Sequence, residues 1–133
     1  MSENLDLVRS IYAAWERGDF SSPDWADPEI EFTIADGPAP GRWNGLAEMG
    51  HATRDLLSAW KAFRFVADEY RELDDDLVLV FDHNSGRGRI SGAAIDQTRA
   101  EGAQLFRIRA GKVTRLVSYW DRDRALADLG LAE

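Results

Sequence analysis

No cysteine occurs in the 133 residues of this chain. Its absence excludes disulfide bonds, thiolate nucleophiles and zinc–thiolate centres, and leaves the redox compartment undetermined. Histidine is nearly as scarce, at two residues, His51 and His83. Basic residues are in deficit: 16 Lys and Arg stand against 24 Asp and Glu, for a formal net charge of -8. A phosphate-backbone partner needs a concentrated basic face, so nucleic acid is not expected as a partner. No apolar run approaches the roughly 20 residues of a membrane span, so no membrane association is expected either. The opening MSENLDLVRS is charged and lacks the apolar core of a signal peptide, which makes the cytoplasm the default location. There is no Pro/Gly/Ser-rich linker and no internal repeat. A single domain over residues 1–133 is the simplest organisation.

Periodicity supplies the elements. Leu5, Val8, Ile11, Tyr12 and Trp15 form one stripe of a first helix, started by Ser2 or Asn4 and ended at Gly18. FSSPDWADP reads as a short helical or turn piece, with Ser22 before Pro23 as its start. EIEFTI alternates, with Ile30, Phe32 and Ile34 on one face and Glu29, Glu31 and Thr33 on the other. ADGPAPGRWNG reads as a loop. A second long helix begins near Leu46, with Met49, Thr53, Leu56, Leu57 and Trp60 on its stripe. After Phe63 the pattern turns to strands, FRFVADEYREL, DLVLVFDHNSGRGRIS, AIDQTRAEGAQLFRIR and KVTRLVSYWD. They are divided by turn signals at Asp74–Asp76, Gly92 and Ala110–Gly111. DRALADLG is a short closing helix. Helices followed by hairpin-linked strands predict an α+β fold with helices on one face of a curved sheet.

The stretch LVLVFDHNSGRGRISG, residues 77–92, admits three chemistries. As a phosphate loop it fails, because its glycines miss the dinucleotide spacing by one residue and no helix follows. Glycines inside a long strand instead mark bends. As a metal site it also fails. Asp82 and His83 are strand neighbours and point to opposite faces, while His51 lies about 180° from the apolar stripe of its helix at about 100° per residue. No metal and no cofactor are therefore expected. The third possibility is a strand whose even face, Val78, Val80, Asp82 and Asn84, looks into the protein.

The segments IYAAWERGDF, ADPEIEF, GRWNG, GRGRISG and FRIRAGKVTRLVSYWDRDRALADLGL, with the Trp60–Phe63 helix end, together resemble the SnoaL-like group of the nuclear transport factor 2-like superfamily. The resemblance covers nearly the whole chain. It implies a cone: a strongly curved mixed or antiparallel sheet wrapped around a long N-terminal helix, usually dimeric, holding a deep apolar pocket. It implies that Tyr12, Trp15, Glu31, Thr33, Trp60, Val80, Asn84, Gln104, Phe106, Leu116, Ser118 and Trp120 line that pocket. Relatives include ketosteroid isomerase, limonene epoxide hydrolase and polyketide cyclases. The isomerase's oxyanion tyrosine falls on Ile11, with Tyr12 adjacent, its base on Thr33 and its protonated acid on Gln104. The hydrolase's triad falls near Asp82, Asn84 and Ser118. Neither apparatus is intact.

Strand parity agrees with the implied interior at Gln104, Phe106 and Ile108, and at Leu116, Ser118 and Trp120. On EIEFTI the two conflict, since patterning buries Phe32 and Ile34 whereas the resemblance points Glu31 and Thr33 inward. Core packing is the default role of the five tryptophans. The resulting expectation is a protein that binds a small apolar, polyketide-, steroid- or terpene-like molecule in the cone. The alternative is an acid–base enzyme, such as an isomerase, hydratase or dehydratase, epoxide hydrolase or cyclase. In that case Asp82 is the base, unless Arg87 or Arg89 pairs with it. A homodimer is expected through the outer sheet face carrying Val117 and Tyr119, because an apolar row there should not face water.

Overall fold

A computed structural model describes residues 3–20, 24–36, 40–88 and 101–130, with residues 56–63 and 84–88 described as backbone alone. In chain order the elements are α1 (Glu3–Glu16), β1 (Ala26–Ile34), β2 (Gly41–Asn44), α2 (Leu46–Ala59), β3 (Trp60–Glu72), β4 (Leu77–Gly88), β5 (Glu101–Arg109), β6 (Lys112–Tyr119) and α3 (Arg122–Leu129). The six strands form one sheet in the order β2-β1-β6-β5-β4-β3. Every pairing is antiparallel except β1 with β6, which is parallel. The α+β class and the mixed sheet agree with the sequence-based expectation.

The sheet curves because its inner face converges on one helix. Ile30 of β1, Phe65 of β3, Val78 and Val80 of β4, Phe106 and Ile108 of β5, and Val113 and Leu116 of β6 share one core with Val8, Ile11, Tyr12 and Trp15 of α1. Five strands at about 4.8 Å spacing are wider than the ~10 Å diameter of a helix. Only a bent sheet lets all five contribute to one core around α1. Irregular register at Lys61/Arg64 and Ala67/Glu69 in β3 and at Arg107/Ile108 in β5 supplies part of the bend.

Several boundaries differ from the periodic reading. Asn4 lies inside α1 rather than capping it, and its amide donates to the Asp75 carbonyl at 2.8 Å. In the described part of FSSPDWADP, β1 already begins at Ala26; Ser22 and Pro23 lie outside the described residues. GRWN is an edge strand, not loop, and pairs Trp43 with Phe32. Its four residues are too few for alternation to stand out from the surrounding Gly and Pro. Trp60 opens β3 instead of closing α2, opposite Gly88. Gly86 and Gly88 are therefore backbone of a paired strand, while Arg89 and Gly92 lie outside the described residues.

The outer face has a cover within the chain itself. Leu79, Phe81, Val117 and Tyr119 are buried in one cluster with Ala125, Leu126 and Leu129 of α3 in the same chain and with Leu73 and Leu105. Helix α3 is capped by the Asp121 carboxylate, which accepts from the Asp123 N–H, and ends on Gly130 at φ 68°. Since α3 shields the apolar row, the row gives no reason for a second subunit there.

The β5–β6 hairpin turns on Ala110 at φ 51° and Gly111 at φ 75°, two consecutive left-handed residues. Such turns favour Asn-Gly, and a left-handed alanine is strained. Ala110→Asn is expected to stabilise the chain by about 0.5–1 kcal/mol, read as a higher urea midpoint at unchanged slope. An unchanged or lower midpoint would contradict this turn geometry.

Candidate functional site

Strand parity puts Asp82 on the inner face after Val78 and Val80, and the helix stripe puts Tyr12 on the side of α1 facing it. The two meet although 70 residues apart: the Tyr12 hydroxyl donates to Asp82 Oδ2 at 2.6 Å. Tyr12 is fully buried and Asp82 is 1% exposed. The second carboxylate oxygen, Oδ1, is buried and accepts no hydrogen bond from the described residues. The Gln104 side chain approaches the carboxylate and favours its charged form, without closing a hydrogen bond of ordinary geometry to Oδ1.

Burial dominates the electrostatics. It pushes the Asp82 carboxyl from an ordinary 3.8 up to about 7, against the opposing effects of Tyr12, Gln104 and Arg122. The Tyr12 hydroxyl is pushed well above its usual range by burial and by its anionic neighbour, so it stays a donor at any physiological pH. Arg122 approaches from the outside. Its guanidinium donates to the Asp82 main-chain carbonyl at 3.1 Å and to Asp68 Oδ2 at 3.2 Å, leaving the carboxylate alone. His83, on the opposite face as parity requires, places Nδ1 2.9 Å from Asp68 Oδ1. His51 is exposed.

Register builds the neighbourhood. Gln104 lies between Val80 on β4 and Ser118 on β6, and Ser118 is next to Ile34 on β1. Gly102 faces Asp82 across the β4–β5 pair. A Cβ on Gly102 would lie 2.3 Å from the Tyr119 carbonyl oxygen and 3.4 Å from Asp82 Oδ1. Asp36 anchors the end of β6, accepting from the Trp120 N–H at 2.6 Å and the Asp121 N–H at 3.2 Å.

A cavity of about 590 Å³ opens between this wall, the end of α1 and α2. Of the residues expected in the pocket, Trp15, Gln104, Leu116, Ser118 and Trp120 line it. Tyr12, Val80 and Phe106 do not; they are core residues behind the wall. Asp82 is likewise off the cavity surface, with Gln104 as its neighbour on the lining. Glu31 and Thr33 are not in the lining, whereas Phe32 and Ile34 are. On β1 the alternation of apolar residues was the correct guide, because burying two apolar side chains costs less than burying a carboxylate. The side chains of Trp60 and Asn84, like that of Arg87, lie outside the described residues.

Sequence reasoning missed Phe20, Trp25 and Phe65 as lining residues, together with Thr53 and Arg54 on α2. Met49 and Thr53 were legible on the helix stripe; the others depend on how a turn or strand approaches the cavity. The lining is mostly aromatic and aliphatic. Gln104 and Ser118 are its buried polar groups, while Asp19 and Arg54 are exposed at the rim. Such an enclosure desolvates an apolar molecule and offers hydrogen bonds to one polar end.

The sequence profile of a SnoaL-like domain matches residues 8–116. Among curated proteins none matches the chain. A nuclear transport factor 2-like protein of unknown function from Burkholderia pseudomallei superposes with a TM-score of 0.78, at 20% identity over 96% of this chain and 97% of its own. Another such protein, from Burkholderia thailandensis, gives 0.75 at 26% identity over 89% and 90%. TerC, co-crystallised with polyporic acid, gives 0.76 at 20% identity over 96% and 98%.

Proposed function

The chain belongs to the SnoaL-like domain family, and from that premise we propose that its cavity binds a small, largely apolar molecule with an oxygen at its inner end. The observation that carries this reading is a cavity of about 590 Å³ whose walls are apolar and whose buried polar lining is Gln104 and Ser118. That volume suits a bicyclic to tetracyclic polyketide-, steroid- or terpene-like body. The co-crystallisation of TerC, a protein of the same fold, with polyporic acid supports the same kind of occupant. Trp15, Trp25 and Trp120 report on binding, because all three line the cavity.

A planar ketone, 2-acetylnaphthalene, is the simplest probe. Its addition is expected to quench tryptophan fluorescence saturably with one site per chain. Gln104→Leu should weaken the affinity about five- to ten-fold, the effect of one buried hydrogen bond. Leu116→Trp should abolish binding by filling the space. A linear, unsaturable quench, or a Leu116→Trp protein that binds as well as the wild type, would contradict the reading.

A second reading, acid–base catalysis, is favoured by Asp82 Oδ1, which no described residue hydrogen-bonds, and by a carboxyl that titrates near 7. The ionised carboxylate takes a proton from the ligand at Oδ1 and returns it at another position, with Tyr12 held on Oδ2 throughout. Gln104 and Ser118 then hold the ligand oxygen on which charge develops. The chemistry fits isomerisation, hydration or dehydration, or ring closure. Because Asp82 lies behind the lining, the substrate reaches it only if the Gln104 side chain moves aside. Binding is for that reason the primary reading.

A further inference from the structure

Resting on the cavity-binding reading, we infer that Arg54 at the rim selects an anionic ligand, one whose apolar body carries a carboxylate or an acidic enol at its outer end. Among the described residues Arg54 is the one basic side chain on this cavity. No described carboxylate pairs with Arg54; the same holds for Arg42, Arg64, Arg107 and Arg115, but only Arg54 of these lines the cavity. Asp19, the acidic residue of the same rim, is already engaged in an interaction.

The helix aims this cation. Side chains on an α-helix lean toward the preceding turn, so Arg54 lies back over Gly50, four residues earlier. Its Nη1 is 3.6 Å from the point a Gly50 Cβ would occupy, and Gly50 itself lines the cavity. The missing side chain leaves the guanidinium room beside the opening. From there a planar fork of N–H donors can take a carboxylate in bidentate fashion. The inner end of the cavity offers the neutral amide and hydroxyl of Gln104 and Ser118, so the two ends of one ligand meet different chemistry.

Because Arg54 is exposed, its contribution is screened and the expected preference is modest, about five-fold in Kd. The test compares 2-naphthylacetate with its neutral counterpart 2-naphthylacetamide by tryptophan quenching in 50 mM salt. The wild type should bind the acid about five-fold tighter. The preference should shrink at 0.5 M salt and disappear in Arg54→Met. Equal binding of acid and amide by the wild type, or a preference that survives Arg54→Met, overturns the inference while leaving the cavity reading intact. Binding of neither probe overturns both.

Discussion

The chain should lose stability as the pH rises from about 4 to about 7, and Asp82→Asn should remove most of that loss. In the folded state the Asp82 carboxyl titrates near 7, against 3.8 when unperturbed. Between those values the folded chain holds a proton that the unfolded chain has released. The unfolding free energy therefore falls with pH across this window and levels off above the folded value. A shift of this size corresponds to about 4 kcal/mol at the limit, and on the order of 2–3 kcal/mol is a realistic expectation.

Above that window the buried carboxylate has the Tyr12 hydroxyl on Oδ2 and, among the described residues, no donor in hydrogen-bond geometry on Oδ1. Asparagine preserves the shape and the bond from Tyr12 and carries no charge. Asp82→Asn should be more stable than the wild type at pH 8 and nearly equal to it at pH 4.5, as read from urea melts at the two pH values. In the catalytic reading the same variant keeps ligand binding and loses turnover. If an arginine such as Arg87 or Arg89 pairs with Asp82, the variant is instead destabilised at pH 8, and the proposal for Asp82 fails. Tyr12→Phe provides an independent check: it strips the remaining hydrogen bond and should steepen the loss toward pH 8.

Gly102→Ala is expected to be the most damaging single-methyl change among the described residues. Its added carbon would meet the Tyr119 carbonyl at 2.3 Å, well inside van der Waals contact, and the obstacle is backbone of the adjacent strand rather than a movable side chain. The β5–β6 pair must separate locally, at a cost of about 3 kcal/mol or more. The carbonyl of Gly102 also accepts from Arg122 Nε at 3.4 Å, so the displacement loosens the attachment of α3. Gly111→Ala is the control, because nothing lies within 4 Å of its Cβ position and only its φ of +75° opposes the change. Thermal melts should place Gly102→Ala well below Gly111→Ala. Equal melting temperatures would mean that β5 relaxes without cost.

Period-two alternation determined, with no structure, which face of β5 turns inward, because burying Gln104, Phe106 and Ile108 costs less than burying Arg107 and Arg109. On β4 and β6 it left the choice open, because Leu79, Phe81 and Val117 are apolar and buried like Val78, Val80 and Leu116 on the other face. Parity tied Asp82 to Val78 and Val80, and the packing of α1 on that face turned it inward; on β1 alternation outperformed the family resemblance. Element order gave the α+β class and the curved sheet, and the resemblance added the cone around the first helix. The contacts that make a site came from elsewhere. Tyr12 meets Asp82 across 70 residues, a pairing set by sheet curvature and helix position, and neither is a local property. Trp60 fits a helical stripe or a strand start equally well until Gly88 pairs with it. An apolar outer row containing Val117 and Tyr119 demands a cover, but periodicity does not say whether the cover is another subunit or the chain's own α3. Asp82 itself is inward by parity and yet lies behind the cavity wall, because parity assigns a face and only the packing of Gln104 against it decides what reaches the open space.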